Sequence, residues 1–217
     1  MSARLVVLAS GQGSNLQAIL DAIAAGALSA EVVGVLSDRP GAAALQRVEP
    51  ARRWAATPAD YADRAAFDRA LGDAVAHFAP DWIVCAGYMR ILGEAFVARF
   101  SGRLLNIHPS LLPRHKGLHT HARALQAGDA EHGASVHVVV PELDAGSVLA
   151  QARVPVLPGD DPATLAARVL AVEHPLLIAS LQLLVSGRVA EQEGILYLDG
   201  HPLFSPLTLD SNATLIR

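Results

Sequence analysis

Two side chains capable of acid–base and oxyanion chemistry stand two residues apart in the segment RLLNIHPSLLP, at Asn106 and His108. The preceding apolar residues predict a strand, and alternate residues of a strand project from one face. A histidine titrates near neutrality and can give a proton to a developing oxyanion, while a carboxamide can donate to the same oxygen without changing charge. Acyl or formyl transfer to an amine needs both abilities. Taken alone, an Asn-x-His pair is also compatible with a structural histidine. A third group, Asp144, follows the next predicted strand in the glycine-containing loop PELDAGS. A carboxylate brought near His108 would favour the imidazolium and fix the ring; a solvated turn aspartate is the alternative for such a string.

A second constellation precedes these in the chain. After the first apolar run, RLVVLAS, comes GQGSNLQAIL, with Gly11 and Gly13 in a turn and Ser14 and Asn15 opening a helix. Glycine lets backbone approach closely, and the amides and dipole of a helix N-terminus favour a phosphate. No Gly-Lys-Ser/Thr follows, so this is not a P-loop, and Leu16 stands where a dinucleotide fingerprint needs a third small residue. A tight turn capped by Ser14 or Asn15 is the plainer alternative. Asp38 follows the second predicted strand, where a ribose-binding acid would sit in a nicotinamide-dependent oxidoreductase, and that reading is the rival.

The elements that must position these groups alternate. RLVVLAS, EVVGVLS and DWIVCAG read as buried strands separated by helical patterns, the signature of an α/β, doubly wound, largely parallel sheet with a Rossmann-like N-terminal half. A strand at RLLNIH, a short helix from about Thr120 to Gly128, a strand at ASVHVVV and another at VLAQARVPV continue the pattern. A long helix is expected from about Pro162 to Val185, capped by Asp161, stopped by Gly187 and kinked or divided at Pro175. GILYLDG reads as an edge strand. The expected organisation is a single domain over residues 1–200, with residues 201–217 as a C-terminal tail that is loosely held beyond Phe204.

Composition narrows the function classes. Of the 217 residues, 52% are hydrophobic and 18% charged, which predicts one sizeable buried core rather than a disordered chain. No run of 18 uncharged apolar residues appears and no signal peptide is evident, so a cytoplasmic protein with no membrane partner is expected. With 17 basic against 21 acidic residues, no general grip on nucleic acid is expected. The single cysteine, Cys85, lies in the apolar run WIVCAG and reads as a buried small hydrophobe rather than a nucleophile. Nor do His115, His119, His121, His132 and His137 form a usual zinc-ligand spacing; His121 and His137 read as pocket-wall or satisfied polar residues, and no metal is expected.

The strings GQGSNLQAI, AGYMRIL, RLLNIHPSLLP, GLHTHARAL, EHGASVH and ELDAG, in this order, resemble the folate-dependent glycinamide ribonucleotide formyltransferases. The resemblance runs from about residue 4 to about residue 200. It implies that 10-formyltetrahydrofolate serves as cosubstrate and glycinamide ribonucleotide as acceptor, in de novo purine synthesis. It also implies site roles: Gly13, Ser14 and Asn15 on the substrate phosphate, Glu173 on the ribose, Met89, Arg90, Ile91 and Leu92 lining the pterin pocket, and Arg64 on the folate tail. Asn106 and His108 would bind the formyl oxygen, with Asp144 keeping His108 protonated or oriented. The chain departs from the family pattern at His115 and Lys116, where an aromatic and a proline are more usual, at Leu170 in place of glutamine, and at Ala145 in place of glycine. Methionyl-tRNA formyltransferases share NIHPSLLP but resemble longer, two-domain proteins; formyltetrahydrofolate hydrolases carry an added N-terminal domain. A non-catalytic folate-binding module is a further alternative. A homodimer is compatible with the sequence, which does not specify the oligomeric state.

Overall fold

Four consecutive apolar residues, Leu5, Val6, Val7 and Leu8, are all fully buried, as in a strand covered on both faces. In the computed structural model of the chain, which describes residues 2–217, they form β1 (Ala3–Leu8). Next come α1 (Ser14–Ala24), β2 (Ala30–Ser37), β3 (Arg53–Ala55), α2 (Arg64–His77), β4 (Trp82–Cys85), α3 (Glu94–Arg99) and β5 (Leu104–His108). The second half contributes α4 (Thr120–Ala127), β6 (Glu131–Val138), β7 (Val148–Pro155) and α5 (Pro162–Val185), then five short strands: β8 (Val189–Gln192), β9 (Ile195–Leu198), β10 (His201–Pro202), β11 (Leu207–Leu209) and β12 (Leu215–Ile216). The chain forms two compact units, the first extending to Asn106 and including Val139–Pro141, the second comprising Ile107–Val138 and Glu142–Arg217.

In the first unit the strand order is β3-β2-β1-β4-β5, every pair parallel. The chain moves one way from β1 to β2 and β3, then returns to the other side of β1 for β4 and β5. That reversal makes the carboxyl ends of β1 and β4 a topological switch point, where ligands bind in open α/β sheets. Phe67, Leu71 and Val75 of α2 pack with Val6, Leu8 and Ile83 in one core. The helix starts at an Asp63 side chain that accepts from the Ala66 amide at 2.6 Å, and its N-cap geometry is the usual one for aspartate.

In the second unit β6 and β7 are antiparallel, β11 lies parallel to β7, and β12 closes the edge. α5 packs against β6 and β7 and buries Leu165, Val169, Leu176, Leu177 and Leu181. Asp161 caps it through the Thr164 amide at 2.7 Å, and Gly187 ends it at φ 70°. Pro175 does not divide it, because packing on both sides of the missing amide outweighs one lost helical bond. By length and composition α5 could cross a membrane, yet it carries Arg168, Glu173 and His174 and serves as the core helix of its unit. GILYLDG forms the middle strand β9 of a small antiparallel sheet β10-β9-β8, not an edge. The segment after Phe204 is not loose either: Leu207 is 2% exposed, and β11 pairs with β7 at Leu207↔Ala150 and Thr208↔Gln151. Parallel pairs dominate the first unit and mixed pairs the second, so the expected α/β class with a largely parallel sheet is realised.

Candidate active site

At the end of β1, Gly13 is the N-cap of α1 with φ 73°. A Cβ there would lie 2.7 Å from Ala44 Cβ and 3.0 Å from Ala44 Cα, so both conformation and space require glycine. Neither Ser14 nor Asn15 caps the helix; the cap is glycine, without a side-chain hydrogen bond. The positive end of the α1 dipole is therefore offered to an anion. Arg47 joins this loop, its Nε donating to Gln12 O at 2.9 Å and its Nη1 to Gln17 Oε1 at 2.6 Å. No local pattern marked Arg47, because it arrives from a separate 3-10 turn spanning Ala43–Arg47.

Asp38 is not placed as a ribose ligand. It is 7% exposed and accepts from Ser10 Oγ at 2.5 Å, while the same Oγ accepts from the Met89 amide at 2.9 Å. The carboxylate ties the exit of β1 to the segment after β4. In that segment Leu92 is buried, whereas Met89 and Ile91 are 56% and 53% exposed, an unusual display of large apolar side chains at strand ends. The Arg90 guanidinium stands 5.0 Å over the Phe67 ring. Arg64 donates from Nη2 to Ile91 O at 2.6 Å, and so reaches the segment with which it was grouped. A cavity of about 340 Å³ beside it is lined by Arg64, Asp68, Arg69, Glu94, Phe96 and Arg99; none of Asn106, His108 and Asp144 borders it. Cys85 is buried, and burial pushes its thiol up to about 12, which leaves it inert as a nucleophile.

β5 carries Asn106, half-buried, and His108, 6% exposed. His108 Nε2 lies 3.1 Å from His115 O; a carbonyl only accepts, so Nε2 bears the hydrogen. Nδ1 faces Asp144 Oδ2 at 3.5 Å, too long for a strong hydrogen bond. Asp144 adopts φ 46°, and its Oδ2 accepts from the Gly117 amide at 2.8 Å. Its Oδ1 lies 3.6 Å from His137 Nε2, so the carboxylate stands between two histidine rings. Burial pulls the His137 pKa down, opposed by the Val138 carbonyl and Asp144 and reinforced by His108 and Lys116. His137, expected to be a wall or satisfied polar residue, thus belongs beside the catalytic candidates. Period two along β6 is the signal that puts it on the same face as Ser135. Ser135 Oγ staples the turn after β5: it accepts from the Leu112 amide at 3.1 Å and donates to Ser110 O at 2.7 Å.

Glu173 lies in α5 at 9% exposure, and Leu170, three residues earlier on the same helical stripe, is 38% exposed. His119 is the left-handed N-cap of α4. The His121 and His132 rings are 5.2 Å apart, and those of His115 and His132 are 6.0 Å apart. Burial first, then the neighbouring histidines, pulls His132 down to about 4. Among the described residues, no three His, Cys, Asp or Glu side chains converge as metal ligands would.

Residues 3–181 match the formyl transferase family. Phosphoribosylglycinamide formyltransferase of Escherichia coli (strain K12) is 46% identical over 201 residues, covering 92% of this chain and 95% of that protein. The enzyme of the same name from Mycobacterium tuberculosis (strain H37Rv) is 47% identical over 185 residues, covering 85% and 86%. The solved phosphoribosylglycinamide formyltransferase of Coxiella burnetii superposes with a TM-score of 0.89 at 44% identity, covering 94% of this chain and 96% of that one. With Asn106, His108 and Asp144 placed at and beyond the end of β5 and the family match spanning most of its length, the chain belongs to the formyl transferase family, among the phosphoribosylglycinamide formyltransferases.

Proposed function

We propose that this chain transfers the formyl group of 10-formyltetrahydrofolate to the amine of glycinamide ribonucleotide, a step of purine synthesis. The observation that carries the reading is the His108–Asp144 pair, with Nδ1 and Oδ2 3.5 Å apart, placed two residues along β5 from Asn106. The amine attacks the formyl carbon, and the carbonyl oxygen takes up negative charge in a tetrahedral intermediate. Asn106 and His108 stabilise that oxygen, and Asp144 orients the His108 ring. Collapse breaks the bond to N10 of the folate. The proton lost by the amine balances the one gained by N10, so formylated product and tetrahydrofolate leave with no net redox change.

The remaining roles follow the same reading. The α1 amides at Gly13, Ser14 and Asn15 hold the phosphate, with Arg47 adding a cation, and Glu173 accepts from the ribose hydroxyls. Met89, Arg90, Ile91 and Leu92 line the pterin pocket, and Arg64 meets the folate tail. Purified protein given both substrates in the presence of a chelator and without ATP is expected to form formylated product and tetrahydrofolate in equal amounts. No turnover in that mixture rejects the reading. Saturable binding of NAD would favour the oxidoreductase rival, which the internal engagement of Asp38 with Ser10 opposes. Folate binding without product would favour the non-catalytic module.

A further inference from the structure

We infer that Asp129 and His115 together form a positioning device for His108, acting through the main chain at residue 115. The Asp129 carboxylate lies just beyond the left-handed C-cap of α4 at Gly128, with its side chain 4% exposed. It receives two donors from adjacent residues: Arg114 Nη2 on Oδ1 at 2.6 Å and His115 Nε2 on Oδ2 at 2.7 Å. Hydrogen bonds to an ionised acceptor are short and strong, so this carboxylate fixes residues 114 and 115 firmly. The other side of the turn is held by Ser110 Oγ, which donates to Arg114 O at 2.7 Å.

The hold is needed because His115 has φ 52°. A non-glycine residue in the left-handed region is uncommon, although histidine is among those found there, and it costs free energy that its surroundings must supply. That conformation aims the His115 carbonyl at His108 Nε2, 3.1 Å away, which sets the tautomer and the plane of the catalytic ring. Two residues further on, the Gly117 amide donates to Asp144 Oδ2. One short turn therefore offers an acceptor to His108 and a donor to its carboxylate partner, and Asp129 anchors it. His115 is one of the departures from the family pattern, so here the anchoring runs through an imidazole.

The kinetic arm of the test rests on the formyl-transfer reading; the spectroscopic arm does not. Imidazole nitrogen NMR of His108 in the intact chain is expected to report a protonated Nε2. His115→Phe, which keeps a ring but loses the donor to Asp129, is expected to lower kcat about tenfold with KM for both substrates within about twofold. It should also shift the His108 nitrogen resonances. His115→Gln, which keeps a donor, should recover kcat to within about threefold of the parent. Should His115→Phe not fold, Asp129→Asn, of the same shape but uncharged, is expected to show the same split between kcat and KM. Unchanged His108 resonances in a folded variant, or kcat and KM moving together, would overturn the inference. If the parent protein shows no turnover, the formyl-transfer reading fails while the resonances still decide this one.

Discussion

His108 enters any reaction with one ring nitrogen committed to a carbonyl and the other facing a carboxylate. In the proposed reaction the ring acts where negative charge develops, so its loss should be felt in the transition state rather than in binding. His108→Ala is expected to lower kcat by about 10²–10³-fold, with KM for either substrate changing far less. Steady-state kinetics check this, and a near-normal kcat would remove the residue from its role. His132 supports a prediction of another kind. Its pKa is drawn down from 6.5 to about 4 in the fold. Between those values the unfolded chain binds a proton that the folded chain does not, so stability rises with pH across that window. The melting temperature should therefore be highest above pH 6.5 and fall as the pH drops towards 4. His132→Asn should flatten that slope; an unaltered slope in the variant would assign the dependence elsewhere.

Among the elements, β6 is the most constrained. Gly133 faces β7 so closely that a Cβ would sit 1.9 Å from Ala152 O and 2.9 Å from Leu111 Cδ2. No rotamer relieves a clash with backbone, so the strand itself must move. Gly133→Ala is expected to destabilise the protein by about 1–3 kcal/mol, read as a lower urea midpoint. It should also disturb Ser135 and His137 further along the strand. A variant with the parent midpoint would show that β6 can shift freely. α5 illustrates the opposite case, an element whose ends were legible. Asp161 and Gly187 act through residues within a turn of themselves, so their signals survive without tertiary context. Whether Pro175 would divide the helix was not legible, because the strength of packing against β6 and β7 is not a local property.

For the molecule as a whole, composition predicted a well-buried body, whereas position at the terminus misjudged the last residues. β11 covers the edge of β7 beside Gln151, whose side chain donates to Leu112 O at 2.8 Å. Removing residues 205–217 would expose that edge and uncover Leu207's partners. Truncation after Phe204 is expected to lower the melting temperature by about 5 °C or more. A thermal melt settles it, and an unchanged value would restore the view of the tail as loosely held.

By itself the sequence determined the alternation of strands and helices, the glycine turn before α1, the caps of α5, and Asn106 with His108 on one strand. Each is written in periodicities or turn residues that act over a few positions. Tertiary structure alone decided that Asp144 comes to 3.5 Å from His108, that His137 meets the same carboxylate, that Arg47 joins the glycine turn before α1, and that Asp38 turns inward to Ser10. Those approaches join residues far apart in the chain. They depend on strand register and on backbone turned to positive φ at His115 and Asp144, which no short stretch of sequence specifies.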